Sequence, residues 1–315
     1  MRRSAAFVAL ALLAAAPSIA GDAARPRGLE LAGLELAKAD FKGAALAGAN
    51  LVGARLQGAD FRGADLREAY LRDADARGAD FTGARLGAAD LTRADLRDAK
   101  FDGADLSRAK LDMARLDRAS LRNAFLPGAH LAKARLPEAN LEGAVLHAAD
   151  LTQAVLEGAR LGKAQLGAQG AGQQGPMPAR AAGVDLRRAD LAGADLTSVL
   201  LRDAQLERAR FDGATLTHAD LTWARAREAS FGRAALGWAR LYGADLREAD
   251  FTAANLSQAQ CEGADLSKAK LGEALLDGTN LNQTNLRGAD VTKARIHRVL
   301  ARGARDAPAA LTGSP

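Results

Sequence analysis

Along most of the chain a large apolar side chain returns at every fifth residue, with a small one two places before it. Taking every fifth position from Leu36 to Leu166, and again from Leu186 to Ile296, gives 50 positions, of which 45 are Leu or Phe; the others are Ala76, Ala226, Cys261, Val291 and Ile296. Two residues before each of these centres stands Ala, again in 45 of the 50, the exceptions being Leu34, Val184, Val199, Thr279 and Thr284. Ala59-Asp60-Phe61-Arg62-Gly63 and Ala264-Asp265-Leu266-Ser267-Lys268 show the whole unit.

A period of five is not helical. Five residues advance an α-helix by about 500°, so successive leucines would step ~140° around the axis and never share a stripe. Residues two apart do share a face of an extended backbone, so each centre and the Ala before it point the same way, inward. The three remaining positions, rich in Arg, Asp, Glu, Gln, Thr and Gly, point outward. Gly recurs two residues after the centre, as at Gly43, Gly48, Gly53, Gly58 and Gly63, where a chain turning a corner needs freedom in φ.

The tandem A-[D/N]-[L/F]-x-x unit resembles the pentapeptide-repeat family over about residues 36 to 296. The resemblance implies an all-β solenoid, a right-handed quadrilateral parallel β-helix with four pentapeptides to a coil and the centres and alanines stacked inside. Fifty units then make about 12 coils, a rod on the order of 60 Å long at ~4.8 Å per coil. The phenylalanines support a coil of twenty residues independently: Phe41, Phe61, Phe81 and Phe101 are spaced by twenty, as are Phe211, Phe231 and Phe251. The two sets are 110 residues apart, five and a half coils. Between them the repeat fails from Gly167 to Gly183, a stretch rich in Gly and Gln with Pro176 and Pro178. An external loop of about ten residues there would return both Phe columns to one face.

The ends differ from the middle. Arg2, Arg3, an apolar run from Ala5 to Ala16, Pro17 and Ser18-Ile19-Ala20 read as a secretory signal peptide, residues 1–20, cleaved before Gly21. Residues 21–35, with Pro26, Leu29, Leu31 and Leu34, are expected to form an N-terminal linker or cap. The repeat occupies 36–166 and 186–296, separated by a Gly/Gln/Pro loop over 167–185. Residues 297–315 are assigned to a C-terminal cap and a disordered tail, with a short capping helix expected around Val299 and Leu300. Relatives that pair through a C-terminal helix make a monomer or a weak homodimer the expectation here.

Composition narrows the chemistry. The 315 residues carry 43 Lys+Arg against 38 Asp+Glu; without Arg2 and Arg3 the balance is 41 to 38, a formal charge of +3. Residues 36–296 hold 36 basic and 34 acidic groups, interspersed as in Arg67-Glu68 and Arg202-Asp203. Such a mixed surface gives no call for nucleic acid. Cys261 is the single cysteine, so no intramolecular disulfide exists; it holds a central, inward place and reads as a core residue. No two of His130, His147, His218 and His297 are twenty residues apart, and all four are expected on the solvated surface. No catalytic motif, cofactor loop or metal-ligand spacing is present. Asp and Asn before the centres, such as Asp40, Asp60, Asp80, Asp245 and Asp265, are expected to bond nearby backbone at the corners.

Exposed aromatics are the remaining candidates for a site. Trp223 and Trp238 follow their centres by two residues and Tyr242 by one, all outward. Twenty residues separate His218 from Trp238, and the same spacing sets Trp223 against Gly243. These four, His218, Trp223, Trp238 and Tyr242, are the candidate interaction patch. The whole reads as a non-catalytic, secreted, periplasmic or extracellular protein. It is expected to be an interaction or structural scaffold for an unidentified protein partner, with no integral membrane segment in its mature form. The alternative that the resemblance brings, a DNA mimic occupying a topoisomerase, is opposed by the balanced charge and the export signal.

Overall fold

The computed structural model describes residues 28–168 and 177–312. Its backbone is a stack of rungs: the residue before each centre forms a parallel bridge with the residue twenty further on, as in Asp40↔Asp60, Asp60↔Asp80 and Asp80↔Lys100. Four pentapeptides therefore separate each residue from the one above it, which makes every coil four-sided. Each side is only three residues wide, and the two residues between sides form a corner.

The sequence unit explains this geometry bond by bond. The centre's N–H donates to the next coil, as Phe61 to Asp80 O at 2.7 Å, and Asp60 N–H donates back to Ala39 O at 2.9 Å. At the corner, Ala64 N–H closes a four-residue turn onto Phe61 O at 2.9 Å. The third residue of that turn, Gly63, has φ of 63°, as a type II turn requires. The same left-handed conformation is imposed on Lys38, Ala88, Trp223 and Trp238 at equivalent corners. Inside, centres and preceding alanines are almost wholly buried from Leu46 to Leu286 and partly buried towards the two ends, as at Ala39, Ala44, Val291 and Ile296. Phe61 and Phe81, and Phe81 and Phe101, stack at 4.8 Å with planes 2° apart; Phe231 and Phe251 do so at 4.8 Å and 4°. Where Thr279 and Thr284 replace Ala, their buried hydroxyls donate to Leu256 O at 2.9 Å and Leu281 O at 2.7 Å, which offsets the loss of water.

The rungs extend further than the strict consensus. Glu30 bridges Asn50, and Leu31 is buried as a centre, so the stretch from Gly28 to Glu35 is already repeat rather than cap. At the other end Asn280↔Leu300 and Asn285↔Arg305 continue the ladder past Ile296. The helix expected around Val299 and Leu300 is therefore absent; a four-residue helix, α1 (Ala309–Thr312), follows the last described rung and buries Leu311. The reason is that backbone pairing requires only that small or apolar residues fill the inward places, and Val299, Ala301 and Ala304 do so.

Across the interruption the bridge spacing changes from twenty to thirty, as in Asp150↔Arg180 and Gln165↔Asp195, and then returns to twenty. Ala179 N–H donates to Leu166 O at 2.8 Å, closing the turn as the residue three after a centre does elsewhere. The corner between them holds residues 167–178, twelve in place of two, of which 169–176 lie outside the described residues. The repeat resumes at Ala179 and Ala181, both buried, ahead of the expected Leu186. The expected leader over residues 1–20 also lies outside the described residues.

Candidate functional site

The four aromatic candidates occupy corners, where a side chain two after the centre must point away from the core. His218 and Trp238 stack on one corner with ring centres 5.4 Å apart and planes 23° apart. Trp223 stands on the next corner around the coil, and its ring lies over Gly243: a Cβ there would come within 2.0 Å of the indole Cζ3. Tyr242, half-buried, donates its hydroxyl to Gln260 Oε1 at 3.3 Å, and its carbonyl accepts Trp223 N–H at 2.9 Å. The structure thus makes two pairs on neighbouring corners. Trp223 is 62% and Trp238 54% exposed.

One histidine departs from expectation. His147 is buried, and its Nδ1–H donates to Gly167 O at 2.6 Å, because the long corner opens directly above it and its backbone covers the ring. His297 pairs with Asp277 at 2.8 Å, and His130 stays exposed. Among the described residues no three His, Cys, Asp or Glu side chains converge as a metal site, and no helix is long and apolar enough to cross a membrane. Cys261 is buried at a centre, and loss of solvation pushes its thiol up to about 12.

The carboxylates before the centres cap the corners. Asp80 Oδ1 accepts Thr82 N–H at 3.0 Å, and Asp265 Oδ1 accepts Ser267 N–H at 2.9 Å. When Arg stands two residues on, it closes a fork on the same carboxylate: Arg67 Nε and Nη2 reach Asp65 at 2.8 and 2.6 Å. The Arg62 guanidinium in the same geometry holds Asp60 down to about 2. Asp65 and Asp245 are lowered in the same way by Arg67 and Arg247. These groups are committed to each other and to backbone, leaving little free charge for chemistry.

Charge is not distributed evenly around the rod. One side carries the bridged column Phe125, Val145, Gln165, Asp195, Thr215, Ala235, Asn255 and Leu275. From Phe125 to Gly278, this column and the corner following it present only two acidic residues and no Lys or Arg. Both acids are engaged: Asp195 Oδ1 accepts Thr197 Oγ1–H at 2.7 Å, and Asp277 holds His297. His218 and Trp238 lie on this side, and the long corner opens from it. Two sides away, the corner after the column Asp185, Gln205, Arg225 and Asp245 is a ladder of ion pairs. Arg188 reaches Glu157 at 2.6 Å, Arg208 reaches Glu228 at 2.9 Å, and Arg227 reaches Glu248 at 3.0 Å. Legible motifs do not reveal this sidedness; reading every fifth residue in columns of twenty, with ten subtracted after the interruption, would.

The family model described as pentapeptide repeats matches residues 30–87, 89–164 and 182–298 in overlapping stretches. Among solved structures, HetL, a pentapeptide repeat protein involved in heterocyst differentiation regulation from the cyanobacterium Nostoc sp. strain PCC 7120, is 34% identical. The match covers 78% of this chain and 89% of that one, with a TM-score of 0.28. Rfr23, a pentapeptide repeat protein from the cyanobacterium Cyanothece 51142, is 24% identical over 48% of this chain and 90% of its own, with a TM-score of 0.26. QnrB1, a plasmid-mediated fluoroquinolone resistance protein, is 16% identical over 61% of this chain and 92% of its own, with a TM-score of 0.29. No curated protein matches the chain.

Proposed function

This chain belongs to the pentapeptide-repeat family, whose members fold as right-handed quadrilateral β-helices and are generally non-catalytic, and we propose that it serves as an exported interaction scaffold. In this reading residues 1–20 are removed on export and the mature rod of about 12 coils works in the periplasm or outside the cell. The extra residues of the corner at 167–178 project as an external loop. The rod acts as a monomer or a weak homodimer and presents one side to a protein partner.

The observation that carries the reading is the charge-depleted side from Phe125 to Leu275, free of Lys and Arg and with Asp195 as the one carboxylate of its column. Solvated surfaces ordinarily intersperse both signs of charge, as the opposite side of this rod does. Depletion of charge together with exposed Phe125 and Trp238 is the composition of an interface core. His218 and Trp238 would form its aromatic anchor, while Trp223 and Tyr242 lie around the corner from it.

The test has two parts. Exported protein should begin at Gly21 by N-terminal sequencing; full-length protein retained in the cytosol would defeat the export claim. Thr215→Lys with Ala235→Glu adds charge to the charge-depleted side without touching a centre. That pair should abolish co-purification of the partner, whereas Gln205→Glu with Ser267→Glu on the opposite side should not. Equal loss from both pairs would refute a one-sided interface.

A further inference from the structure

The corner bearing Trp223 borders a groove of about 550 Å3, within the range of small-ligand clefts. It runs along the rod between two columns, the corner residues Asp203, Trp223 and Gly243 and the strand residues Gln205, Arg225 and Asp245. We propose that this groove binds a neutral glycan chain, with the Trp223 ring as its apolar wall and Asp203, Gln205 and Arg225 as its hydrogen-bonding floor and rim. The site is distinct from the charge-depleted docking side and does not depend on it.

Three features of the groove select this ligand. Its polar side chains are free: on a surface where most arginines pair with an acid, the side chains of Asp203, Gln205 and Arg225 make no hydrogen bond or ion pair among the described residues. Asp245, by contrast, is already held by the Arg247 fork. The groove therefore keeps one free carboxylate and one free guanidinium, which cancel, so an ion of either sign gains little there. A carboxylate, an amide and a guanidinium together offer paired acceptors and paired donors. Vicinal hydroxyl groups, each both donor and acceptor, meet that set.

The second feature is the placement of the ring. Glycine at 243 is what lets the indole settle beside the groove, since a Cβ there would lie 2.0 Å from Cζ3 and 2.3 Å from Cε3. The ring stays 62% exposed although it touches the backbone, an apolar surface fixed in place and not covered by the protein. The C–H faces of a pyranose supply a matching apolar surface between its rims of hydroxyls. Third, the groove follows the rod axis over two rung spacings, about 10 Å. A linear chain can lie in it lengthwise, whereas a globular partner would touch only its rims.

The test uses the full mature protein carrying Trp238→Phe, which leaves Trp223 as its only tryptophan. Its fluorescence is titrated with cellohexaose and, separately, with chitohexaose. Saturation below about 1 mM by either sugar is expected, and the pair distinguishes a plain glucan from an N-acetylated one. Gly243→Ala, which evicts the ring, and Asp203→Ala should each weaken binding roughly tenfold or more. Gly263→Ala is the matched control: its corner has φ of 70°, and a Cβ there meets nothing within 4 Å. It should leave the dissociation constant unchanged while carrying the same backbone strain. Absence of saturation with both sugars, or equal binding by Gly243→Ala and the parent, would overturn the assignment.

Discussion

The corners carry a strain that can be measured one residue at a time. Ala88, Ala148 and Ala253 sit at corner positions with φ of 56°, 56° and 57°, where Gly63 has 63°. Left-handed backbone costs a residue bearing a Cβ about 1–2 kcal/mol. Replacement by glycine removes that cost but gives the unfolded chain more freedom, worth about 0.4–1 kcal/mol in the other direction. The remainder favours glycine by about 0.5–1 kcal/mol per corner. Ala88→Gly should therefore stabilise the protein, against the usual rule that glycine weakens regular structure. Gly63→Ala should destabilise it by the same amount and no more, because a Cβ at Gly63 meets nothing within 4 Å. The triple change Ala88→Gly, Ala148→Gly and Ala253→Gly involves well-separated corners, so the gains should add to about 1.5–3 kcal/mol. Urea midpoints at constant m read the effect. A triple variant no more stable than the parent, or a neutral Gly63→Ala, would refute the assignment of strain to these corners.

Three further outcomes follow from the core and the charge ladders. Phe81→Ala removes a ring stacked on both sides and should cost about 3–5 kcal/mol, whereas Phe81→Leu, which matches the neighbouring leucine columns, should cost less than about 1.5 kcal/mol, both by urea midpoint. Cys261 should resist thiol reagents at mildly alkaline pH in the folded protein and react at once in denaturant, since burial holds its thiol near 12; fast labelling of native protein would contradict its central position. Asp60, Asp65 and Asp245 have carboxyls lowered by their arginine partners, so their contribution is complete above the unfolded value, near pH 4. It is lost as pH falls towards about 2, where Asp60 titrates. The urea midpoint should drop over that window, and less so in high salt; an unchanged midpoint would show that these forks contribute nothing.

Much of the architecture was legible because period five admits so few backbones. The inward places and the spacing of the phenylalanines are both readable by counting, and Trp223 over Gly243 follows from a spacing of twenty. Legibility ended where composition and geometry part. Leu31, Ala181 and the rungs at Leu300 and Arg305 lack a strong Ala-x-Leu signature, yet their backbones pair because neighbouring coils offer donors and acceptors that burial obliges them to meet. His147 could not be read as buried, since the residue covering it, Gly167, belongs to the corner where the count of five breaks. The free polar groups beside Trp223 were hidden for another reason. Which arginine pairs with which acid depends on rotamers across three coils, and Arg202 takes Asp220 at 2.6 Å while its sequence neighbour Asp203 is left without a side-chain partner.

The most direct measurement of the central claim is site-specific photocrosslinking in living cells, with the probe placed in turn at Ala235 on the charge-depleted side and at Ser267 on the charged one. The account predicts a discrete crosslink to one envelope protein from Ala235 and none from Ser267. Crosslinks of equal yield from both positions, or from Ser267 alone, would contradict a scaffold that meets its partner through its charge-depleted side.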